Sequence, residues 1–545
     1  MKLGTRSAHV DTFTRDNLPP REQWPEFTFT LPELTYAPSL NCAAALLDRH
    51  VESGNGARRC LVTDDQEWTY ADLLKKSNQV AHALVDEMGL VPGNRVLLRG
   101  PNNPWLVASW FGVVKAGGVA VTTMPLLRRR ELETMIEIAA VEMAICDHRF
   151  LEDLDAAAPD GFQIFTYGGA DQDDLINVAA KKGQTFKNVA TAADDVCMLA
   201  FTSGTTGKPK STMHFHRDVL AIADTFSRHL LRPTPDDLFA ASPPLAFTFG
   251  LGQSVVFPLH AGASVYLLET PSPKKLLEAV ERHRITVLAS APTAYRAMLP
   301  DLAAADISSL RACVSAGETL PKATWEAVRD ASGLRIVDGI GSTEMLHIFI
   351  SAAGEDIRPG TTGRAVPGYV AEIQDPDGRK VADGELGRLA VKGPTGCRYL
   401  RGDRQATYVQ NGWNITGDVY VRDADGYFHY QARADDMIIS AGYNIAGPEV
   451  EEALLRHSAV AEAAVVGVPD EQRGMIVKAV VVLRQEADLG PEPARTLQDF
   501  VKSQIAPYKY PREIEFVDAL PRTATGKLQR YRLRAARSAP PETGG

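Results

Sequence analysis

No two cysteines in this 545-residue sequence have the CxxC spacing of a zinc or redox motif; the six, at 42, 60, 146, 197, 313 and 397, stand singly. Most sit in apolar, strand-like contexts such as residues 196–201, and read as reduced, buried thiols rather than disulfides or zinc ligands. No apolar run is long enough to span a bilayer, which takes about 20 consecutive residues. The most apolar stretch, 105–121, is broken by Lys115, Gly117 and Gly118, so it predicts a buried helix, a turn and a strand. Residues 1–14 are polar and lack the apolar core of a signal peptide. These absences point to a cytoplasmic protein with no membrane partner. Positive charge is not in excess either: the net charge is −10, spread without blocks of one sign. Nucleic-acid binding needs at least a basic stripe, and none is present. No internal repeat is visible.

What is present suits a soluble globular protein of several units, at roughly 100–200 residues per domain. Residues 1–40 are rich in proline and aromatics and predict a segment wrapped over a larger body. From about 57, short β-branched runs alternate with helical patterns, as at 95–98 (strand), 105–114 (helix) and 119–122 (strand). Such alternation implies α/β layers with largely parallel sheets. After 360, turns of the type Asp375-Pro-Asp-Gly, Asp383-Gly-Glu and Asp423-Ala-Asp-Gly become dense, predicting an antiparallel, hairpin-rich part. Beyond Asp435 the texture changes again. A helix opens at Pro448-Glu449 with apolar positions 450, 453 and 454, strands follow at 463–468 and 476–483, and a second helix lies near 494–505. The expected organisation is therefore α/β. A large N-terminal part, 1–434, combines layered α/β subdomains with a β-rich one. A small mobile α+β domain spans 435–537, with a disordered tail at 538–545.

The strongest local signal is Leu199-Ala-Phe-Thr-Ser-Gly-Thr-Thr-Gly-Lys-Pro-Lys210. A β-run empties into a loop with Gly204 and Gly207, the hydroxyls of Thr202, Ser203, Thr205 and Thr206, and Lys208. Glycines let backbone N–H groups approach an anion closely, and hydroxyls and a lysine add donors and charge. A helical pattern follows at 219, 222, 223, 226 and 230, so the loop is expected between a strand and a helix. A Walker A loop is excluded, because Thr202 stands where it needs glycine and Pro209 where it needs a magnesium-binding hydroxyl. A solvated Ser/Thr/Gly linker is the bland alternative, and the strand before the loop argues against it.

Four more segments follow: Ile340-Gly-Ser-Thr-Glu344, Trp413-Asn-Ile-Thr-Gly-Asp418, Arg433-Ala-Asp-Asp-Met-Ile-Ile-Ser-Ala-Gly-Tyr-Asn-Ile445 running into Glu449-Val-Glu451, and Pro521-Arg-Thr-Ala-Thr-Gly-Lys527. With the loop they make five motifs in order, and the set resembles the adenylate-forming superfamily of acyl-CoA synthetases, adenylation domains and firefly luciferase. The resemblance implies ATP and CoA as co-substrates and Mg2+ as cofactor. It implies that Thr343 bonds the α-phosphate and that Glu344 holds the metal, screening phosphate charge so that a carboxylate can attack. Asp418 is implied to accept from the ribose hydroxyls, and Arg433 to reach the ribose or phosphate. Gly317, Glu318, Thr319 and Asp338 are implied to lie along the adenine. Lys208 and Lys527 complete the catalytic set, Lys527 bridging the acid and the phosphate. Asp435 is implied as the hinge and Gly442 as part of a pantetheine tunnel. Three positions depart from the pattern: Ala432 and Ser211 replace glycines, and Ile340 replaces an adenine-side aromatic. None removes a charged catalytic group.

Within the superfamily the sequence most resembles benzoate– and 2-aminobenzoate–CoA ligases, through Pro244-Leu-Ala-Phe-Thr-Phe-Gly-Leu-Gly252, Ser315-Ala-Gly-Glu318 and Asp338-Gly-Ile-Gly-Ser-Thr-Glu-Met-Leu-His-Ile348. That implies Phe247 as a gate, with Thr248, Phe249, Phe257, Ala316, Gly341, His347 and Ile348 lining a pocket for a flat aryl acid. The bland reading of these phenyl rings, and of His347, is ordinary core. CoA is the implied thiol, since the sequence runs only a short way past the lysine motif. A stand-alone adenylation enzyme that loads a carrier protein is the alternative. A catalytically silent nucleotide-binding module is disfavoured by intact Lys527, Glu344 and Asp418. The expected assembly is a monomer or homodimer.

Overall fold

The computed structural model describes residues 6–202, 209–401, 404–434, 436–440, 443–470, 473–485, 489–522 and 528–535. The expectations placed on Ser203, Gly204, Thr205, Thr206, Gly207, Lys208, Asp435, Gly442, Lys527 and the 538–545 tail lie outside these residues.

Helix Tyr70–Met88 begins where Thr69 and Asp72 cap each other reciprocally, and ends at Gly89, whose φ of 67° suits a residue without Cβ. It packs on helix Pro104–Lys115, started by proline in its first turn and by the Asn103 side chain, which accepts from the Leu106 N–H. This second helix is buried along its length except at Trp105, which is half-buried. Its terminal lysine is tolerated there because Lys115 Nζ meets the Asp48 carboxylate at 2.6 Å, a buried charge kept by its partner. The apolar 105–121 stretch is thus a core helix followed by the strand Val119–Thr123.

These helices belong to one apolar core that takes in residues from two sheets. The first has six strands, in the order Gln163–Tyr167, Met143–Asp147, Arg95–Arg99, Val119–Thr123, Val196–Thr202, Lys210–Phe215, all parallel except the last. The second has nine. Its centre is parallel, with Arg59–Val62, Ser264–Tyr266, Leu238–Ala241, Val287–Ser290, Ala312–Ser315 and Ile336–Gly341 side by side. Antiparallel strands close both edges. Layered α/β architecture is what the alternation predicts. The turn-rich part after 360 forms an antiparallel sheet of Val370–Gln374, Leu386–Lys392, Trp413–Arg422, Val409–Gln410 and Phe428–Arg433.

A separate pair of cores gathers residues from Ile438 to Leu533. There Val460–Asp470, Gly474–Leu483 and Glu513–Phe516 form a sheet, with helices Gly447–Leu455, Pro493–Gln504 and Arg530–Ala535 around it. The N-terminal segment runs over the large body. Asp11 pairs with Arg95, Ser7 and the Ala8 N–H bond Asp195, and Phe27 bridges Gly393. No helix among the described residues is long and apolar enough to cross a membrane.

Candidate active site

The sequence places the 203–208 loop between a strand and the helical pattern of 219–230; the helical segment is there, but a second strand comes before it. Lys210–Phe215 pairs antiparallel with Val196–Thr202, Thr202 opposite Lys210, and helix His216–Ile222 starts only afterwards. The loop is therefore the connection of a hairpin. The strand is hard to read because Lys-Ser-Thr-Met-His-Phe carries little apolar alternation, yet five of its six residues are buried. Two neighbours hold it. Besides Val196–Thr202, the segment around Tyr399 bonds its other side: Met213 N–H donates to Arg398 O at 2.8 Å and Leu400 N–H to Ser211 O at 2.8 Å.

That second pairing delivers Tyr399 to the site. Its hydroxyl donates to Glu344 Oε1, and its ring stands edge-on to Tyr408 with centroids 5.8 Å apart. Burial and the neighbouring Glu344 push the Tyr399 phenol up, which keeps it a donor. Glu344 and Thr343 sit on the turn between Ile336–Gly341 and Ile348–Ser351. Within it Leu346 adopts a φ of 68°, an uncommon value for a side chain larger than asparagine. Lys210 lies in the electrostatic field of Glu344. Burial lowers its pKa, Arg404 adds to the lowering, and Glu344 opposes it.

Asp418 and Arg433 come together for a reason of register: they are opposite residues on the strands Trp413–Arg422 and Phe428–Arg433. Arg433 Nη1 donates to Asp418 Oδ1 at 2.9 Å and to Thr416 O at 3.2 Å. Burial raises the Asp418 pKa, Arg433 opposes the rise, and Glu344 is close enough to add to it. Gly417, at φ 80°, leaves room for this: a Cβ there would stand 2.9 Å from Arg433 Nη2. Thr202, Lys210, Glu344, Asp418 and Arg433 thus surround one region.

Asp338 and Ser315 are neighbours at the carboxyl side of adjacent parallel strands, where α/β sheets bind ligands. Burial pushes the Asp338 carboxyl up to about 7, and its Oδ1 is buried with no partner among the described residues. An acceptor left open in this way fits the exocyclic amine of adenine. Gly317, at φ 90°, and Thr319 are exposed beside it. The Glu318 carboxylate turns elsewhere, accepting from Thr293 and lying 3.5 Å from Arg522 of the small domain.

His347 follows Glu344 by three residues and is 2% exposed. Its ring contacts those of Phe257, Phe249 and Phe226, at centroid distances of 4.6, 5.7 and 5.3 Å. Burial draws the imidazole down to about 3, so it is neutral at pH 7, and both ring nitrogens lack partners among the described residues. Thr248 and Ala316 are buried and Phe247 half-buried, while Gly341 pairs with Ile348. The expected pocket residues Phe249, Phe257 and His347 do converge. Sequence reasoning missed Phe226, Gly252, Lys210 and Tyr399. Gly252 makes the convergence possible, for a Cβ there would stand 2.4 Å from His347 Cδ2. Its signal was its place in the 244–252 segment.

The oxygen donors fit magnesium, which binds through one or two carboxylates and substrate phosphates. Tyr399 holds Oε1 of Glu344 and leaves Oε2 for a hard cation.

Residues 47–399 match the AMP-binding enzyme family and residues 449–527 the AMP-binding enzyme C-terminal domain. The benzoate–CoA ligase of Thauera aromatica is 36% identical over 516 residues, 93% of this chain and 98% of that protein. Among solved structures, an anthranilate CoA ligase in complex with anthranoyl-AMP superposes with a TM-score of 0.88 at 35% identity, covering 93% of this chain and 99% of that one. A benzoate CoA ligase from Burkholderia xenovorans gives 0.83 at 34% identity, covering 91% and 100%. With both domains matched in order, the chain belongs to the AMP-binding enzymes, among relatives that are AMP-forming acid–thiol ligases.

Proposed function

We propose that the protein is an ATP-dependent aryl acid–CoA ligase. The acid carboxylate attacks the α-phosphorus of ATP, releasing diphosphate, and the CoA thiol then displaces AMP from the acyl-adenylate. The observation that carries this reading is the cluster of aromatic rings packed around His347, three residues from Glu344 on one turn. In it, Ser203–Lys208 hold the phosphates and Thr343 the α-phosphate. Asp418 and Arg433 hold the ribose side, and Asp338 accepts from the adenine amine. Glu344 holds magnesium, which when bound neutralises phosphate charge. Lys527 bridges carboxylate and phosphate as charge builds on phosphorus. The domain division lies at Asp435, with Gly442 on the path of the pantetheine thiol.

The test is AMP release from benzoate, 2-aminobenzoate, hydroxybenzoates, cinnamates and medium-chain acids, with and without CoA. Aryl acids should dominate, and free thiol should disappear in step with AMP. Turnover that consumes no CoA thiol would favour loading of a carrier protein instead.

Among aryl acids the reading favours 2-aminobenzoate. Its ortho amine can bond Thr248 or the unpartnered nitrogens of His347. A buried hydrogen bond contributes about 0.5–1.5 kcal/mol net, a preference over benzoate of roughly threefold to tenfold in kcat/KM. The preference should shrink in Thr248→Ala or in His347→Ala. A wild-type enzyme that prefers benzoate, or a ratio untouched by both substitutions, refutes it.

A further inference from the structure

Cys42, Cys197 and His216 meet away from the nucleotide and acid sites. Cys42 lies in the N-terminal segment just before the helical turn Ala44–Asp48. Cys197 is the second residue of the strand Val196–Thr202, and His216 is the first residue of the helix His216–Ile222. Two are fully buried, and His216 is 1% exposed. One ligand atom from each lies within 4.8 Å of the others, and no other such trio of His, Cys, Asp or Glu is found among the described residues. Cys42 Sγ is 3.2 Å from His216 Nδ1, and the free Cys197 thiol, within 4.8 Å of both, donates to His214 O at 3.6 Å. His216 Nε2 is buried without a partner among the described residues, as is Nε2 of His9.

Ordinary buried cysteines behave as small hydrophobes, each among apolar neighbours. Two thiols converging on one imidazole nitrogen are something else. They supply three of the four donors of tetrahedral zinc, with the fourth position left to a water, and zinc bonds of about 2.3 Å to sulfur and 2.0–2.1 Å to nitrogen require ligand atoms only a few ångströms apart. Two thiolates also cancel the charge of a divalent ion in a dry site. Soft sulfur donors select against magnesium, the cation of the catalytic carboxylate.

We propose that Cys42, Cys197 and His216 form a binding site for a thiolate-preferring divalent metal, zinc in particular. On binding, both thiols release their protons and the metal takes the Nδ1 lone pair. The Cys42 N–H, which now donates to Nδ1 at 3.2 Å, turns to sulfur. The metal would staple the N-terminal segment to the strand that enters the 203–208 loop and to the helix that follows its return strand. The single, widely separated cysteines concealed this set, since 42 and 197 meet only through the tertiary fold.

The experiment uses the full chain, stripped of metal under reducing conditions and titrated with Co2+ as probe. Close to one equivalent per chain should bind and give the intense near-ultraviolet thiolate-to-cobalt band with the visible bands of tetrahedral cobalt. Stoichiometric Zn2+ should bleach both and raise Tm by several degrees. Cys42→Ala and Cys197→Ala should each abolish the bands, while Cys60→Ala, a buried thiol elsewhere, should retain them. Wild-type protein that shows no thiolate band overturns the proposal, independently of how any variant folds. The same band at the same stoichiometry in a Cys42→Ala/Cys197→Ala double variant also overturns it.

Discussion

A histidine ring packed among three phenyl rings is an acid-side weakness. Burial draws the His347 imidazole down to about 3, so the folded chain refuses a proton that the unfolded chain accepts near pH 6.5. A depressed histidine pKa makes the unfolded state the greater proton binder between those values, so native stability falls as pH drops from about 6.5 towards 3. His347→Phe should remove this contribution: its Tm, compared with wild type, should improve steadily from pH 7 to pH 4.5. A constant Tm difference across that range would mean the ring is not buried neutral. Asp338 has the opposite sign. Its carboxyl is pushed up to about 7, so the protonated form contributes fully below about 3.8, and that contribution is lost as pH rises through 7. At this scale the sequence was most legible where motif and register agree. Asp418 and Arg433 were found as motif residues, and the hairpin sets them face to face. Phe226 was read only as an apolar position of a helix; its contact with His347 is a tertiary fact that no helical periodicity encodes.

Between elements, the strand that follows residues 203–208 shows why local pattern fails. Lys210–Phe215 is a strand because two neighbours supply its hydrogen bonds, and neither is recognisable from its own six residues. The same pairing explains how Tyr399, far from Glu344 in sequence, comes to donate to it. In the proposed reaction Tyr399 acts through Glu344, whose carboxylate it positions for magnesium. Tyr399→Phe removes one hydrogen bond to a charged group, worth about 1.5–3 kcal/mol. The magnesium concentration for half-maximal rate should rise about tenfold or more, with kcat largely recovered at saturating magnesium. Loss of kcat with no change in magnesium dependence would assign Tyr399 a purely structural role.

For the whole molecule the question is how one site serves two reactions. In this structure Glu462 of the small domain lies 3.1 Å from Arg296 of the large one and 2.6 Å from Arg522. Arg522 in turn lies 3.5 Å from Glu318. Arg522 also bridges Leu528, so these ion pairs tie the small domain to the large one through Glu462 and Arg522. Contacts of this kind are partly exposed and individually weak, on the order of 1 kcal/mol or less, which suits an interface that must be released. Two substitutions separate the half-reactions. Lys527→Ala should slow adenylation by about 10²–10³-fold, as loss of a preorganised charge commonly does, while thioester formation from pre-made acyl-AMP is spared. Asp435→Pro should do the reverse. Proline fixes φ near −65° and a hinge must absorb a large dihedral change, so one orientation is trapped, and adenylation stays measurable while transfer to CoA collapses. The two variants therefore predict opposite patterns in a paired assay of acid-dependent diphosphate release and CoA-dependent AMP release. Equal losses in both half-reactions for Lys527→Ala would remove it from the chemistry of the first step. Wild-type transfer by Asp435→Pro would show that rotation about this residue is not part of the cycle.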